Sequence, residues 1–136
     1  MADCCDGGKG VLILACSGGS NVGQITNEAA KALDQLGQGR MSCAIGVGAQ
    51  LPAFVESARD SLCVALDGCA VACVKCALVN AGLAPDVHVV VTGLGIEKQH
   101  DFDFTRDQVA EVAGAVAAAL EELGVAPVGG GCGCGS

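Results

Sequence analysis

The sequence predicts a single three-layer α/β domain. Its core is a four-stranded parallel, doubly wound sheet of the Rossmann or flavodoxin-like kind, with strand order 2-1-3-4. Three observations carry that expectation. Short continuous apolar runs alternate with segments of helical period, the mark of a parallel sheet covered on both faces. Each run closes on glycine or a polar turn. Hydrophobic residues make up 51% of the chain and aromatic residues only 2%, so Ala, Val, Leu and Ile supply the core. Right-handed crossovers then leave few topologies to choose from.

The elements follow in order. VLILAC (11–16) is a buried strand closed by SGGSN. Ser20 or Asn21 caps the next helix, in which Val22, Ile25, Ala29, Leu33 and Leu36 recur at helical spacing before Gly37 stops it. RMSCAIGVG (40–48) is a second strand and a glycine turn, and Pro52 opens a second helix. SLCVALDG (61–68) is the third strand, and CAVACVKCALVNAG, beginning at Cys69, is the third helix, ended by Gly82. VHVVVTG (87–93) is the fourth strand, and 94–104 a polar loop. Thr105 and Gln108 have capping-box spacing ahead of a last helix, whose stripe is Val109, Val112, Ala113, Val116, Leu120 and Leu123. The chain thus divides into a flexible Cys-Cys arm (1–10), an α/β metal-binding domain (11–123) and a flexible Gly/Cys-rich tail (124–136).

Charge and composition exclude several partners. Net charge is −8, and the seven basic residues are scattered, which leaves no patch for phosphates or for an anionic membrane surface. Trp and Tyr are absent, so stacking platforms for nucleic acid are missing too. The expected partner is a metal ion. Nucleic acid and membrane are not expected, a homodimer is compatible with the sequence, and a protein partner is left undefined.

Ten cysteines then need an explanation. The acidic start MADCCDGGKG and the short run after it do not make a secretory signal, although LILAC superficially resembles a lipoprotein box at Cys16. A cytoplasmic, reducing setting follows as the expectation. Clustered cysteines there bind metal or do chemistry rather than form bridges. A chain this long has core enough to fold without such staples.

In a doubly wound sheet, ligands bind beyond the carboxyl ends of the strands, where strand order reverses. Cys16 ends the first strand, Cys43 lies near the end of the second, and Asp67-Gly68-Cys69 ends the third, so three connections bring thiols to one rim. Cys69, Cys73 and Cys76, at i, i+4 and i+7, stack along one helical stripe, with Cys69 at the helix start. That start, and the start following Cys16, would favour thiolates. Soft thiolates select zinc, Cu(I) or iron–sulfur clusters, and four of them can enclose a tetrahedral ion.

Other readings stand beside ligation. Cys63, inside a strand, reads as a small buried hydrophobe. Cys76 is a further ligand, a spare thiol or filler. Strand–Cys–glycine loop–helix is also how a cysteine phosphatase or arsenate reductase presents its nucleophile. The arginine such an enzyme needs six residues on is Val22 here, which removes the oxyanion support. No general base stands beside the thiols, and Asp67 is the only acid in the motif, so an enzyme is disfavoured. Ser17 and Asn21 read as helix caps or, through neighbouring backbone N–H groups, as an anion-binding loop. His88 reads as structural. His100 stands in the loop after the fourth strand as a further candidate ligand, and Lys98 as a countercharge to thiolate.

ACSGGSNVGQITNEAA, the later MSC, LDGCAVACVKCALVNAGL and LGIEK together resemble the DGC-domain family of proposed zinc-binding proteins, over roughly residues 11 to 98. The resemblance implies that Cys16, Cys43, Cys69 and Cys73 are the four family cysteines, proposed as zinc ligands, with Asp67 beside them. Metal handling or sensing is the expected role. An iron–sulfur or dithiol redox protein using the same cysteines is the alternative. Cys4, Cys5, Cys132 and Cys134 fall outside the resemblance and suit auxiliary capture of a soft metal.

Overall fold

The computed structural model describes residues 9–125. The terminal cysteines Cys4, Cys5, Cys132 and Cys134 lie outside the described residues. The elements are β1 (Val11–Ala15), α1 (Asn21–Gln35), β2 (Arg40–Ser42), α2 (Ala44–Gly48), α3 (Pro52–Arg59), β3 (Leu62–Asp67), α4 (Cys73–Asn80), β4 (Val87–Val90) and α5 (Arg106–Glu122). A 3-10 turn at Val91–Leu94 follows β4. The sheet is parallel throughout and ordered β2-β1-β3-β4, as the alternation of elements predicts.

The two-residue period of the strands builds the three layers. Val11, Ile13 and Ala15 of β1, with Val64 and Leu66 of β3, point to one face. There they meet Val22, Ile25, Ala29 and Leu33 of α1 and Val109, Val112, Val116 and Leu120 of α5. Leu12, Leu14, Cys63 and Ala65 point to the other face, against Val47 of α2, Ala58 of α3, and Val74 and Leu78 of α4. Cys16 continues this second row and is half-buried against it.

Several boundaries differ from the sequence expectation. Leu36 is 68% exposed and Leu123 also faces solvent. Both are cap residues beyond the last helical turn, where the 3.6-residue stripe no longer applies. The segment read as a glycine turn after the second strand is the helix α2. A Cβ on Gly46 would lie 2.5 Å from the Phe54 ring, so the glycine serves helix packing there. The fourth strand ends at Val90, three residues early, where the chain tightens into the 3-10 turn. The third helix begins at Cys73 and not at Cys69. The Thr105–Gln108 capping box is present in full.

Cys63 takes the role of a buried hydrophobe, its thiol donating to the Ala58 carbonyl at 3.2 Å. Burial, and then the charge of Asp86, push this thiol above its ordinary range, against a smaller opposing pull from Lys9. In the native protein at neutral pH, Cys63 should therefore stay unmodified by iodoacetamide while exposed Cys43 and Cys76 react. Peptide mass mapping reads this directly, and Cys63 labelling as fast as Cys76 would contradict the burial argument.

Candidate thiol-lined site

The site forms where β1 and β3 end side by side. Cys16 N–H donates to the Leu66 carbonyl at 3.0 Å, extending the parallel ladder to the rim. Ser17 then takes a left-handed conformation (φ 51°), uncommon outside glycine. Thr26 in α1 holds that turn: its hydroxyl accepts from Ser17 N–H at 3.1 Å, donates to the Gly23 carbonyl and lies 3.7 Å from Cys16 Sγ. Ser20 caps α1 through Gly23 N–H. The loop is folded back so closely that a Cβ on Gly23 would meet the Gly18 backbone at 2.5 Å.

Each member of Asp67-Gly68-Cys69 has a separate physical task. Asp67, 1% exposed, accepts from Val74 N–H at 2.7 Å and Lys75 N–H at 3.2 Å, and meets His88 Nε2 at 2.8 Å. Ala72 occupies the N-cap position of α4 in a left-handed conformation and has no side-chain acceptor, so Asp67 caps the helix from six residues upstream. A Cβ on Gly68 would sit 2.9 Å from Gly23 N, so glycine lets the end of β3 pack against the first turn of α1. Cys69 then lines the cavity beside them.

This arrangement changes two readings of the thiols. Cys69 precedes the helix, so the i, i+4, i+7 stripe is broken, and only Cys73 and Cys76 share α4. The helix-terminal N–H groups expected to assist Cys69 are taken by the Asp67 carboxylate. The Cys73 thiol is pushed up, first by desolvation and then by the charges of Asp67, Cys16, Cys69 and Cys76.

Asn21, 6% exposed, also has a different task from anion binding. Its amide donates to the Glu97 carbonyl at 2.9 Å and accepts from Gln99 N–H at 2.6 Å, while its own N–H donates to the Gln99 carbonyl at 3.1 Å. These bonds hold the loop after the 3-10 turn against the start of α1. Lys98, carried between them, donates to Cys69 Sγ at 3.5 Å. The Ser17 hydroxyl turns outward to Asn27.

A cavity of about 220 Å³ results, walled by Cys16, Cys69, Cys73, Lys98 and His100 over the glycine loop. A larger hollow of about 590 Å³ beside α5 has no thiol or imidazole in its lining. Cys43, the N-cap of α2, and Cys76 are exposed and do not line the thiol cavity. All six described cysteines are free thiols. The donor types suit a soft ion. Among the described residues, however, no three His, Cys, Asp or Glu side chains are drawn close enough to hold one. The Thr26 bond to Ser17 and the Asn21 clasp escaped the sequence reading, because those partners lie nine or more residues away and leave no local pattern.

Fold and site define a cysteine-rich α/β domain with a thiol-lined cavity at the switch point of its sheet. The DGC domain family model matches residues 12–116, and the chain belongs to that family. It is 40% identical over 93 residues to the anaerobic and virulence modulator AnvM of Pseudomonas aeruginosa strain PAO1, covering 68% of this chain and 71% of that protein. No solved structure matches. No described helix is long and apolar enough to cross a membrane.

Proposed function

We propose that this protein is a cysteine-rich regulator that takes up a soft metal ion, zinc foremost, through Cys16, Cys69, Cys73 and one further donor. The observation that carries the reading is the convergence of those three thiols, Cys16 from the end of β1 and Cys69 and Cys73 from the passage between β3 and α4, on one cavity. Thiolate ligands would favour zinc or Cu(I) over hard cations. The name of the Pseudomonas relative, a modulator, supports regulation over a structural staple. Asp67 and Asn21 support the site from behind by holding α4 and the covering loop in place.

Protein purified without oxygen should carry about one tightly held zinc per chain. Cys69→Ala and Cys16→Ala should lose it. Chelation should leave the helical circular dichroism in place, because two apolar clusters hold the sheet. Reduced protein that ignores added zinc would overturn the reading.

A second reading is favoured by the word anaerobic in the relative's name: an iron–sulfur or dithiol redox centre on the same cysteines. Thiolate-bound zinc is colourless, whereas iron–sulfur clusters absorb through the visible. Brown anaerobic protein, bleached in Cys16→Ala, would select the redox reading.

A further inference from the structure

We propose that Lys98 and Cys69 form an oxidation-dependent cross-link, in which a hydroperoxide oxidises the Cys69 sulfur and Lys98 Nζ then bonds to it. The inference goes beyond the metal reading and is independent of it, since it concerns a sulfur and a nitrogen of the metal-free chain. Lys98 Nζ donates to Cys69 Sγ at 3.5 Å. Among the described residues, no other lysine donates to a thiol, and Lys98 has no carboxylate within ion-pair distance. Both residues line the cavity of about 220 Å³, and Cys69 is half-buried, so a small oxidant can reach the sulfur.

Both partners are held by their backbones. Asn21 donates to the Glu97 carbonyl at 2.9 Å and accepts from Gln99 N–H at 2.6 Å, one bond on each side of Lys98. The Gly68 carbonyl accepts from Thr92 N–H and the Cys69 carbonyl from Ala72 N–H, each at 3.1 Å, which fixes the chain around the sulfur. Reactants held in contact behave as if highly concentrated. The neighbouring thiols are drawn elsewhere. Cys16 Sγ lies 3.7 Å from the Thr26 hydroxyl, and Cys76 Sγ donates to the Val71 carbonyl at 3.9 Å. The Cys73 thiol, pushed up by desolvation and then by the charges of Asp67, Cys16, Cys69 and Cys76, supplies less of the thiolate that would attack an oxidised sulfur.

The chemistry balances with the hydroperoxide as sole oxidant. The Cys69 thiolate attacks one peroxide oxygen, the O–O bond breaks, and the other oxygen leaves as an alcohol, or as water from hydrogen peroxide, with a proton from solvent. Sulfur has then given two electrons to the peroxide and stands as a sulfenic acid. It no longer carries the negative charge that holds the ammonium, and Lys98 gives one proton to solvent. The Nζ lone pair attacks Sγ, the S–O bond breaks, and the departing hydroxide takes a second proton from nitrogen to become water. An S–N bond now joins Cys69 to Lys98, of the kind sulfenic acids form with backbone nitrogen. It ties the loop after the 3-10 turn to the β3–α4 connection across the cavity wall. A reducing thiol breaks the bond and restores both side chains.

The test uses the full chain with Cys4, Cys5, Cys132 and Cys134 replaced by serine, reduced, metal-free and treated with limiting hydrogen peroxide. Remaining thiols are alkylated, and the digest is mapped by mass without reductant. The expected product is a peptide pair joined through Cys69 and Lys98, two hydrogens lighter than the sum of its parts and released by dithiothreitol. Lys98→Arg keeps the charge and the donor but has no amine to give, so it should abolish the link and leave Cys69 sulfenic acid open to dimedone. Asn21→Ala should lower the yield of the link about tenfold while dimedone capture of Cys69 rises, the signature of lost positioning. Circular dichroism checks that each variant is folded. A disulfide from Cys69 to Cys16 or Cys73 as the main product would overturn the inference. So would dimedone capture of Cys69 that is equal in the parent chain and in Lys98→Arg, and neither result bears on metal uptake.

Discussion

Asp67→Ala should lose about 1–3 kcal/mol of stability, the scale of leaving buried hydrogen-bond partners unsatisfied. The Asp67 carboxylate holds two N–H groups of α4 and the His88 imidazole. Alanine leaves all three without that acceptor, and Ala72 has no side chain to replace it. The helix spans only Cys73–Asn80 and depends on its cap and its packing through Val74 and Leu78, since isolated helices of that length are marginal. Asp67→Asn, retaining one acceptor oxygen, should fall between wild type and alanine. Urea unfolding followed by circular dichroism measures the series. A loss in Asp67→Ala below about 1 kcal/mol, the worth of one ordinary hydrogen bond, would show that water replaces the carboxylate at no great cost.

Gly23→Ala should cost about 1–3 kcal/mol or more and disable the thiol cavity. The new methyl would meet Gly18 backbone atoms at 2.5 and 2.7 Å, where no flexible side chain can yield. Relief requires the loop to lift from α1. That lift would strain the Ser20 cap and the Thr26 bonds that set Cys16 in place. Gly114→Ala in α5 is the internal control. Its Cβ would meet nothing within 4 Å, so alanine should stabilise the helix by about 0.5–1 kcal/mol. Thermal unfolding of the two variants should shift in opposite directions. A neutral Gly23→Ala would mean that the loop is far softer than its contacts imply.

The sheet was legible because its causes are local and repeated. VLILAC, SLCVALDG and VHVVV are continuous apolar runs, and Val22, Ile25, Ala29 and Leu33 recur at helical spacing, so strand order followed from handedness. The start of α4 was not legible. CAVACVKC carries helical spacing from Cys69 onward, yet the helix waits until Cys73, where Asp67 can reach its N–H groups. Periodicity reports which residues suit a helix, while the cap that begins this one comes from the preceding strand.

The sequence by itself determined that thiols from several strand ends would arrive at one rim, because alternating strands and helices bring successive strand ends to the same edge. Only the tertiary structure decided which of them share a cavity. Gly23 lets the loop after β1 fold onto α1 and Gly68 lets the end of β3 pack against that same first turn, so that Cys16, Cys69 and Cys73 line one cavity, while Cys43 stays at the N-cap of α2. The Asn21 clasp brings Lys98 and His100 over that cavity from nearly 80 residues away. Such contacts depend on shape and hydrogen-bond geometry between distant segments, and neither leaves a period in the chain.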